Sequence, residues 1–302
     1  MQNKAQSKGY LFAFLTVTLW SGWAIVTRLG AVGSLSVFDI AFLRFLTAGL
    51  LMAPIAWKHR KLIHRKNFRE IATMMFGAGI GYFVVMGIGF KLAPAGHSII
   101  TPCTMTLMVA LGSYYIFGEK FTRTRVAGYA LIIIGVAYKL VMLSHGNLMA
   151  DIYFLAGAVC WTVYTLFTKK NSNIPPLAVA AFVQVGSGLL VIIPYIIYQY
   201  YAPHSLPVKD SVIQAVYQGF FTSIVSLVFY NKAISFIGAS KTASFAALLP
   251  VMVTLGAIPI LSEYPTTYDW VFVICMSVGV FLASGVTTKL KKKQEKSLQA
   301  MP

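Results

Sequence analysis

Long apolar runs, separated by short polar segments, fill most of the chain. A transmembrane helix needs about 20 mainly apolar residues to cross roughly 30 Å of hydrocarbon. Such runs lie at 10–29, 37–57, 70–90, 94–117, 125–143, 151–168, 177–200, 211–235, 239–261 and 268–287, which we number spans 1 to 10. Because a lipid-exposed backbone must satisfy its own hydrogen bonds, the pattern predicts an all-α integral membrane protein with ten transmembrane helices.

The basic residues between the runs predict the orientation. Lys and Arg cluster before span 1, in the 2–3, 4–5 and 6–7 connections, and after span 10. The opposite connections are nearly free of them, and Lys209 is the clearest exception. Cytoplasmic connections carry such an excess. We therefore expect a protein of the cell inner (plasma) membrane with both termini in the cytoplasm, where residues 289–302 form a basic tail.

The second half of the chain repeats the pattern of the first. Residues 17–30 (VTLWSGWAIVTRLG) align with 158–171 (AVCWTVYTLFTKKN), so that tryptophan falls on tryptophan and arginine on lysine. Spans 4 and 9 align at a shift of 144 residues, and spans 2 and 7 at a shift of 140. Each half holds five spans, and an odd number makes the second half enter the membrane from the opposite side. The prediction is two inverted five-helix repeats, residues 1–143 and 144–288, with a substrate site near the midplane between them.

The amino-acid composition is that of a membrane protein and argues against nucleic-acid binding, metal binding and catalysis. The 302 residues are 58% hydrophobic and only 11% charged, whereas soluble domains carry roughly 25% charged residues. A net charge of +17 suggests nucleic acid in a soluble protein, but here the basic clusters follow the membrane pattern, so we expect no nucleic-acid partner. Cys103, Cys160 and Cys275 lie in apolar runs without metal-ligand spacing. No catalytic signature is recognisable, so we expect no catalytic residue, metal or cofactor.

Three features together resemble the EamA branch of the drug/metabolite transporter superfamily. They are the tryptophan-containing first helix of each half (LWSGWA and VCWTVY), the segments that close each fourth helix (VALGSYYIFGEKFT and LLPVMVTLGAIPILSE), and a glycine-rich fifth helix in each half. The resemblance covers about 10–142 and 151–287. It implies an exporter of small metabolites, and substrates vary widely within the family. One departure is that Pro250 aligns with Thr106, whereas Pro102 lies four residues earlier.

Polar and aromatic side chains inside the spans are the candidate substrate-binding residues, because ionisable groups deep in a membrane are costly. Arg44 lies about two turns inside span 2, where its guanidinium can hold a carboxylate through two hydrogen bonds. Snorkelling to the headgroups and a structural pair with Asp39 are the alternatives. Trp20 and Trp161 lie near mid-span and are expected as opposing walls of one cavity. The candidate set is Trp20, Trp23, Arg44, Tyr82, Trp161, Tyr164, Gln184, Tyr230, Asn231 and Ser244.

Spans 4 and 9 carry the candidate gating residues. His97 opens span 4 and Lys241 opens span 9, so the two are expected at opposite mouths of one pathway, with interfacial anchoring as the alternative. Pro102 and Pro250 lie inside these spans and are expected to bend them, as a gate or as a static kink. The glutamates that end spans 4 and 9 are expected to cap or pair near the following helix, span 5 or span 10.

These features favour a secondary transporter that exports small polar metabolites, such as amino acids or related carboxylates, by alternating access of the two repeats around a central cavity. The cationic residues, without a buried acid beside them, favour an anionic or zwitterionic substrate. An exporter of drugs or lipid-like amphiphiles is the main alternative. A membrane-embedded enzyme and a non-transporting receptor or assembly subunit are more distant alternatives. The expected partners are the substrate and the lipid bilayer. The sequence leaves open whether the protein forms a homodimer.

Overall fold

The computed structural model describes residues 2–64, 67–143, 147–171, 173–237, 242 and 245–285, and this part of the chain consists of helices and short connections, without a strand. The α-helices are α1 (Gln2–Val32), α2 (Val37–His59), α3 (Phe68–Ala78), α4 (Ile80–Leu92), α5 (Ile100–Phe117), α6 (Arg123–Tyr138), α7 (Leu148–Lys170), α8 (Pro176–Tyr201), α9 (Val208–Gln214), α10 (Ser226–Ile237), α11 (Leu249–Leu261) and α12 (Thr267–Ala283). Short 3-10 helices cover Arg60–Leu62, Ala95–Ile99 and Phe245–Leu248, and π-helices cover Lys139–Leu143 and Ala215–Val225.

Most of the predicted spans are present as membrane-length helical segments. Within the described residues, eight segments are long and apolar enough to cross a bilayer, and they are Gln6–Val32, Val37–Leu62, Phe68–Leu92, Ala95–Phe117, Arg123–Val141, Leu148–Lys170, Pro176–Tyr201 and Val208–Tyr230. Two shorter apolar segments, Phe245–Leu261 and Thr267–Ala283, follow where spans 9 and 10 are predicted. The fold is therefore that of a multi-pass helical membrane protein.

Span 3 is two helices rather than one, which the apolar pattern did not indicate. The break lies at Gly79, where the Ile80 N–H donates to Ser187 Oγ at 3.1 Å instead of to the preceding turn. A Cβ on Gly79 would lie 1.9 Å from the same hydroxyl and 2.1 Å from Met75 O. Only glycine fits this close approach, so α3 ends there and α4 begins.

Matched turn chemistry ends and begins helices at equivalent places in the two halves. Gly118 ends α5 and Ser262 ends α11, each in the left-handed conformation. The N-caps that follow, Thr122 of α6 and Thr266 of α12, each accept a hydrogen bond from the third residue of their helix. Both pairs are separated by the 144 residues found in the sequence alignment.

The two candidate gating prolines lie in the first turns of α5 and α11. Pro102 is the third residue of α5 and Pro250 the second residue of α11, and each helix directly follows a 3-10 helix. A proline in the first turn lacks only an N–H that the helix does not use. Both prolines therefore lie at junctions between 3-10 and α geometry.

Helix packing also comes in matched pairs. Helix α1 packs against α10 and α11, while α7 packs against α3, α4 and α5. Helix α2 crosses α8, and α6 crosses α12. At the α2–α8 crossing, a Cβ on Gly49 would lie 3.3 Å from Gln184 O, and one on Gly188 would lie 2.8 Å from Phe45 O. The backbones of these two helices are thus in reciprocal close contact.

Connections that follow α1, α4, α8 and α11 meet at one end of the bundle, which we call the distal face. Ser34 Oγ donates to Asp210 Oδ2 there at 2.8 Å, and the Ala95 N–H donates to Glu263 Oε2 at 2.7 Å. The other end, which carries the start of α1, is the proximal face. These two names are used below for the position of each side chain.

Candidate functional site

A buried arginine lies at the centre of the candidate site. Arg44 is on α2, only 6% exposed, and surrounded by aromatic rings. Its Cζ lies 5.4 Å from the ring centroids of Phe45 and Phe83 and 6.0 Å from that of Trp23. Its Nη1 donates to Gln218 Oε1 at 2.8 Å. Arg44 therefore neither snorkels to a surface nor pairs with Asp39, which were the alternatives.

A chain of amides fixes the direction of that guanidinium. Gln218 Nε2 donates to Thr27 Oγ1 at 2.7 Å and to Gln214 Oε1 at 3.2 Å, so the amide oxygen of Gln218 must face Arg44. Gln214 Nε2 in turn donates to Val26 O at 2.8 Å. Gln218 lies in the π-helix 215–225, a geometry that is often found at functional sites.

One edge of the Arg44 guanidinium is left open. Among the described residues, Nε is buried and has no hydrogen-bond partner, and the bond to Gln218 occupies Nη1. The Nε–H and the second terminal nitrogen lie along the same edge of the planar guanidinium and form the fork that matches a carboxylate. Trp23 Nε1 and Gln184 Oε1 are also buried without a partner in the described part of the chain. Such atoms are costly to leave unpaired.

Aromatic rings extend from Trp23, which lies near Arg44, across the bundle. The rings of Trp23 and Tyr82 stack at 5.8 Å, Tyr82 meets Trp161 at 4.9 Å, and Trp161 meets Tyr164 at 5.4 Å. We call these four residues the aromatic row. It joins α1, α4 and α7, so it brings together residues from both halves of the chain.

Trp20 lies outside the aromatic row. Its Nε1 donates to Ser226 Oγ at 3.2 Å, and its ring packs 5.3 Å from that of Tyr230. Trp23, rather than Trp20, is therefore in the series of rings that reaches Trp161. The side chain of Asn231 and the residues Lys241 and Ser244 lie outside the described residues.

Buried acids lie at the distal face, contrary to the expectation of none. Asp39 and Asp151 are both fully buried. His97 Nδ1 lies 2.9 Å from Asp151 Oδ1, so the predicted gating histidine is inside the protein and paired with an acid. His204 Nε2 lies 3.0 Å from Asp39 Oδ2. A hydrogen bond to the Ala202 carbonyl and the Asp39 carboxylate together raise the pKa of His204, which lies between α8 and α9.

The glutamates that end α5 and α11 form ion pairs across the two halves of the chain. Glu263 Oε1 accepts from Arg28 Nε at 2.8 Å at the distal face, and Glu119 Oε1 accepts from Lys169 Nζ at 2.6 Å at the proximal face. Among the described residues, the ion-pair partners of the two glutamates therefore lie on α1 and α7. Arg28 aligns with Lys169 and Glu119 with Glu263, so the two ion pairs are equivalent in the repeat.

A cleft of about 500 Å³ opens at the distal face, away from Arg44. Its polar lining includes Ser34, Ser36, Asp39, Lys91 and His204. The cleft lies beside the Arg28–Glu263 pair, because Arg28 Nη1 donates to the backbone oxygens of α4 at Phe90 and Lys91.

Sequence reasoning missed Gln214, Gln218, Thr27 and Asp151. Gln214 and Gln218 are four residues apart in an otherwise apolar span, and that spacing places both amides on one helix face. This signal was available, whereas the bond from Gln218 to Arg44 joins residues 174 positions apart and cannot be read from the chain.

Comparison with known proteins gives consistent matches over most of the chain. The model of the EamA-like transporter family matches residues 7–140 and 148–285. A probable amino-acid metabolite efflux pump of Salmonella typhimurium is 24% identical over 297 residues, which cover 92% of this chain and 95% of that protein. The aromatic amino acid exporter YddG of Ancylobacter novellus is 25% identical over 193 residues, covering 61% of this chain and 66% of that protein. One crystal structure matches with a TM-score of 0.65 and 20% identity, over 93% of this chain and 98% of that one, which is a likeness of fold.

Proposed function

Because the chain belongs to the EamA-like transporter family, we propose that it is a secondary transporter of the inner (plasma) membrane that exports small metabolites carrying a carboxylate, with amino acids as the preferred class. The substrate binds at Arg44, between the two halves of the chain. The names of the relatives, which mention amino-acid metabolites and an aromatic amino acid, support this class.

The open edge of the Arg44 guanidinium is the observation that carries the proposal. Gln218 holds Nη1, and Nε is buried without a partner in the described part of the protein. A cation removed from water is costly unless an opposite charge lies beside it. Among the described residues, the group bonded to Arg44 is the neutral amide of Gln218 and not an acid. A substrate carboxylate supplies that charge and both acceptors.

Two further buried atoms without a partner among the described residues fit the rest of a zwitterion. Gln184 Oε1, on the helix that packs against α2, is a buried acceptor, and we assign the substrate ammonium group to it. Trp23 Nε1 is a second buried donor beside Arg44. The aromatic row offers an apolar wall for the substrate side chain.

The matched ion pairs, caps and helix crossings support the two inverted repeats. In this arrangement the repeats, residues 1–143 and 144–288, rock around Arg44 and open the site to one face at a time. The basic clusters predict that the proximal face is cytoplasmic, so export runs from the proximal to the distal face.

An exporter of apolar amphiphiles is a second candidate, and the aromatic row favours it. The two candidates differ in what they demand of Arg44. A carboxylate needs the guanidinium fork, whereas an apolar amphiphile needs only the rings and gains nothing from a buried charge.

Efflux from proteoliposomes distinguishes the two candidates. The purified protein is reconstituted with a panel of amino acids, other small carboxylates, the matching decarboxylated amines and neutral amphiphiles. We expect the carboxylates to be exported, and Arg44→Gln to raise their KM by at least about 30-fold, because breaking a buried charged pair costs about 2 to 5 kcal/mol. Arg44→Lys keeps the charge but loses the fork, so it recovers only part of the transport.

Arg60→Gln is the matched control. Arg60 follows α2 at the proximal face and stacks over Trp57, far from the aromatic row. This variant should transport like the wild type. Unchanged transport of every carboxylate by Arg44→Gln, or export of the amphiphiles alone, would overturn the proposal.

A further inference from the structure

One turn of α1, residues 26–28, contacts both the substrate site and the distal face. We propose that this turn couples the affinity of Arg44 for a carboxylate to closure of the distal face, so that opening this face weakens the site and releases the substrate there. The inference rests on the proposed transporter function and adds to it a difference in affinity between the two faces.

The first two residues of the turn anchor the amide chain behind Arg44. Thr27 Oγ1 accepts from Gln218 Nε2 at 2.7 Å. The Val26 carbonyl accepts from Gln214 Nε2 at 2.8 Å, and the Gln214 amide oxygen accepts from Gln218. Thr27 and Gln218 are fully buried, where a hydrogen bond is stronger than in water. These bonds hold the amide oxygen of Gln218 toward Arg44.

The third residue of the turn, Arg28, makes the contact that closes the distal face. Arg28 Nε donates to Glu263 Oε1 at 2.8 Å, and Glu263 Oε2 accepts from the Ala95 N–H at 2.7 Å. Because an α-helix has 3.6 residues per turn, residues 26–28 move as one unit. A shift of this turn therefore changes the amide chain and the distal ion pair together.

Both sets of contacts cross between the two halves of the chain. The turn belongs to the first half, whereas Gln218 and Glu263 belong to the second. When the halves rock apart at the distal face, Arg28 leaves Glu263 and Thr27 leaves Gln218 in the same movement. The Gln218 amide then loses a bond that orients it, and Arg44 loses the pre-organised position that favours a carboxylate.

The proximal face has an equivalent turn with different chemistry. Thr168 aligns with Thr27, and Thr168 Oγ1 donates to Met74 Sδ at 3.3 Å. Met74 lies 144 residues before Gln218, the shift at which spans 4 and 9 align, so a thioether stands where the distal side has an amide. A thioether is a weak acceptor and has no N–H or O–H to donate onward. We therefore expect opening of the proximal face to leave the orientation of Arg44 intact.

This asymmetry predicts that the affinity of the site depends on which face is open. With the distal face closed, the guanidinium is held ready for a carboxylate that arrives from the proximal side. By thermodynamic linkage, a ligand that binds the distal-closed form more tightly also stabilises that form by the same factor. Such couplings typically change affinity by about 5- to 150-fold, and we expect about tenfold here.

Hydrogen exchange with and without ligand tests the coupling in the purified protein. The amino acid that proteoliposomes export fastest is added at about 100 times its Kd for each variant, so that every variant has the same occupancy. In the wild type, exchange of the peptide that contains Ala95–Ile99 should slow about tenfold on binding. Thr27→Val removes the hydroxyl that Gln218 binds, so the slowing should fall below about twofold.

Thr168→Val is the matched control, because it removes the equivalent hydroxyl at the proximal turn. In this variant, ligand binding should still slow exchange at Ala95–Ile99 about tenfold. Slowing that persists in Thr27→Val, or that is lost equally in Thr168→Val, overturns the inference.

The reverse direction of the coupling gives a second measurement, which does not depend on the folding of Thr27→Val. Glu263→Gln should raise the Kd of the amino acid about three- to tenfold, because fewer molecules are in the distal-closed form that binds it. Glu119→Gln, at the proximal pair, should leave the Kd unchanged. Equal Kd values for these two variants overturn the inference. A wild type that binds none of the carboxylates overturns the proposed function, whereas one that binds them without slower exchange at Ala95–Ile99 overturns the coupling alone.

Discussion

The two repeat-equivalent ion pairs differ in burial, and that difference predicts unequal effects of the same substitution. At the distal face, the paired side chains of Arg28 and Glu263 are 15% and 19% exposed. At the proximal face, Lys169 and Glu119 are 38% and 49% exposed. We expect Glu263→Gln to open the distal face strongly, and Glu119→Gln to affect the proximal face little.

The magnitudes follow from the bonds that each carboxylate makes. Glu263 accepts from Arg28 Nε at 2.8 Å and from Ala95 N at 2.7 Å, and each hydrogen bond to a charged group is worth about 1.5 to 3 kcal/mol. The neutral amide of Gln in place of Glu263 keeps part of this hydrogen-bond energy, so the free energy that holds the distal face closed should fall by about 2 to 3 kcal/mol. The exposed pair at Glu119 is worth less than about 1 kcal/mol.

Hydrogen exchange measured by mass spectrometry reads these changes locally. The peptide that contains Ala95–Ile99 reports the distal contact. At 1.4 kcal/mol for each factor of ten, Glu263→Gln should speed its exchange by about 30- to 140-fold. Glu119→Gln should leave this peptide unchanged and speed exchange near α5's proximal end by less than about fivefold. Equal effects of the two variants, or no change at Ala95–Ile99 in Glu263→Gln, would refute the reasoning.

Three further predictions concern other parts of the molecule. Gln218→Leu removes the group that orients Arg44, so transport assays should show KM for carboxylates raised about tenfold, with a smaller change in the maximal rate. Because the pKa of His204 is raised, the pairing of His204 stabilises the folded protein below about pH 6.5, and this contribution is lost as the pH rises through the raised pKa. His204→Gln should therefore lower the Tm more in acid than in base. Gly128→Ala places a Cβ 2.5 Å from a backbone nitrogen of α12 and should lower stability by about 1 to 3 kcal/mol in thermal unfolding, whereas Gly96→Ala, whose nearest atom is 4.0 Å away, should not.

Hydropathy predicted the helices well because the bilayer sets their length and polarity. The run at 70–90 misled the prediction, because Gly79 breaks the helix through a close contact with Ser187 that lies 107 residues away. The position of Pro102 within its helix could not be predicted for a related reason. That position depends on where the preceding 3-10 helix ends, and the residue pattern does not indicate that.

Part of the grouping in the candidate site was predictable. Arg44, Trp23, Tyr82 and Trp161 were predicted as candidates because a charge or a large ring inside a span is unusual, and the structure brings these four side chains near one another. Their neighbours were not identified, since Gln218 acts through contacts between distant spans.

The acids were misjudged because Asp39 and Asp151 lie in the first turns of their helices. From the sequence, that position resembles an exposed cap. Only the packed structure shows that both carboxylates are fully buried, each against a histidine.

Equilibrium binding to the purified protein tests the central claim most directly. The amino acid that proteoliposomes export fastest is titrated against the wild type and Arg44→Gln, and its decarboxylated amine is used as a competitor. We predict that the amino acid binds, that the amine does not compete, and that Arg44→Gln raises the Kd by at least about 30-fold. An amine that competes as well as the amino acid, or an unchanged Kd in Arg44→Gln, would contradict a carboxylate held by the open edge of Arg44.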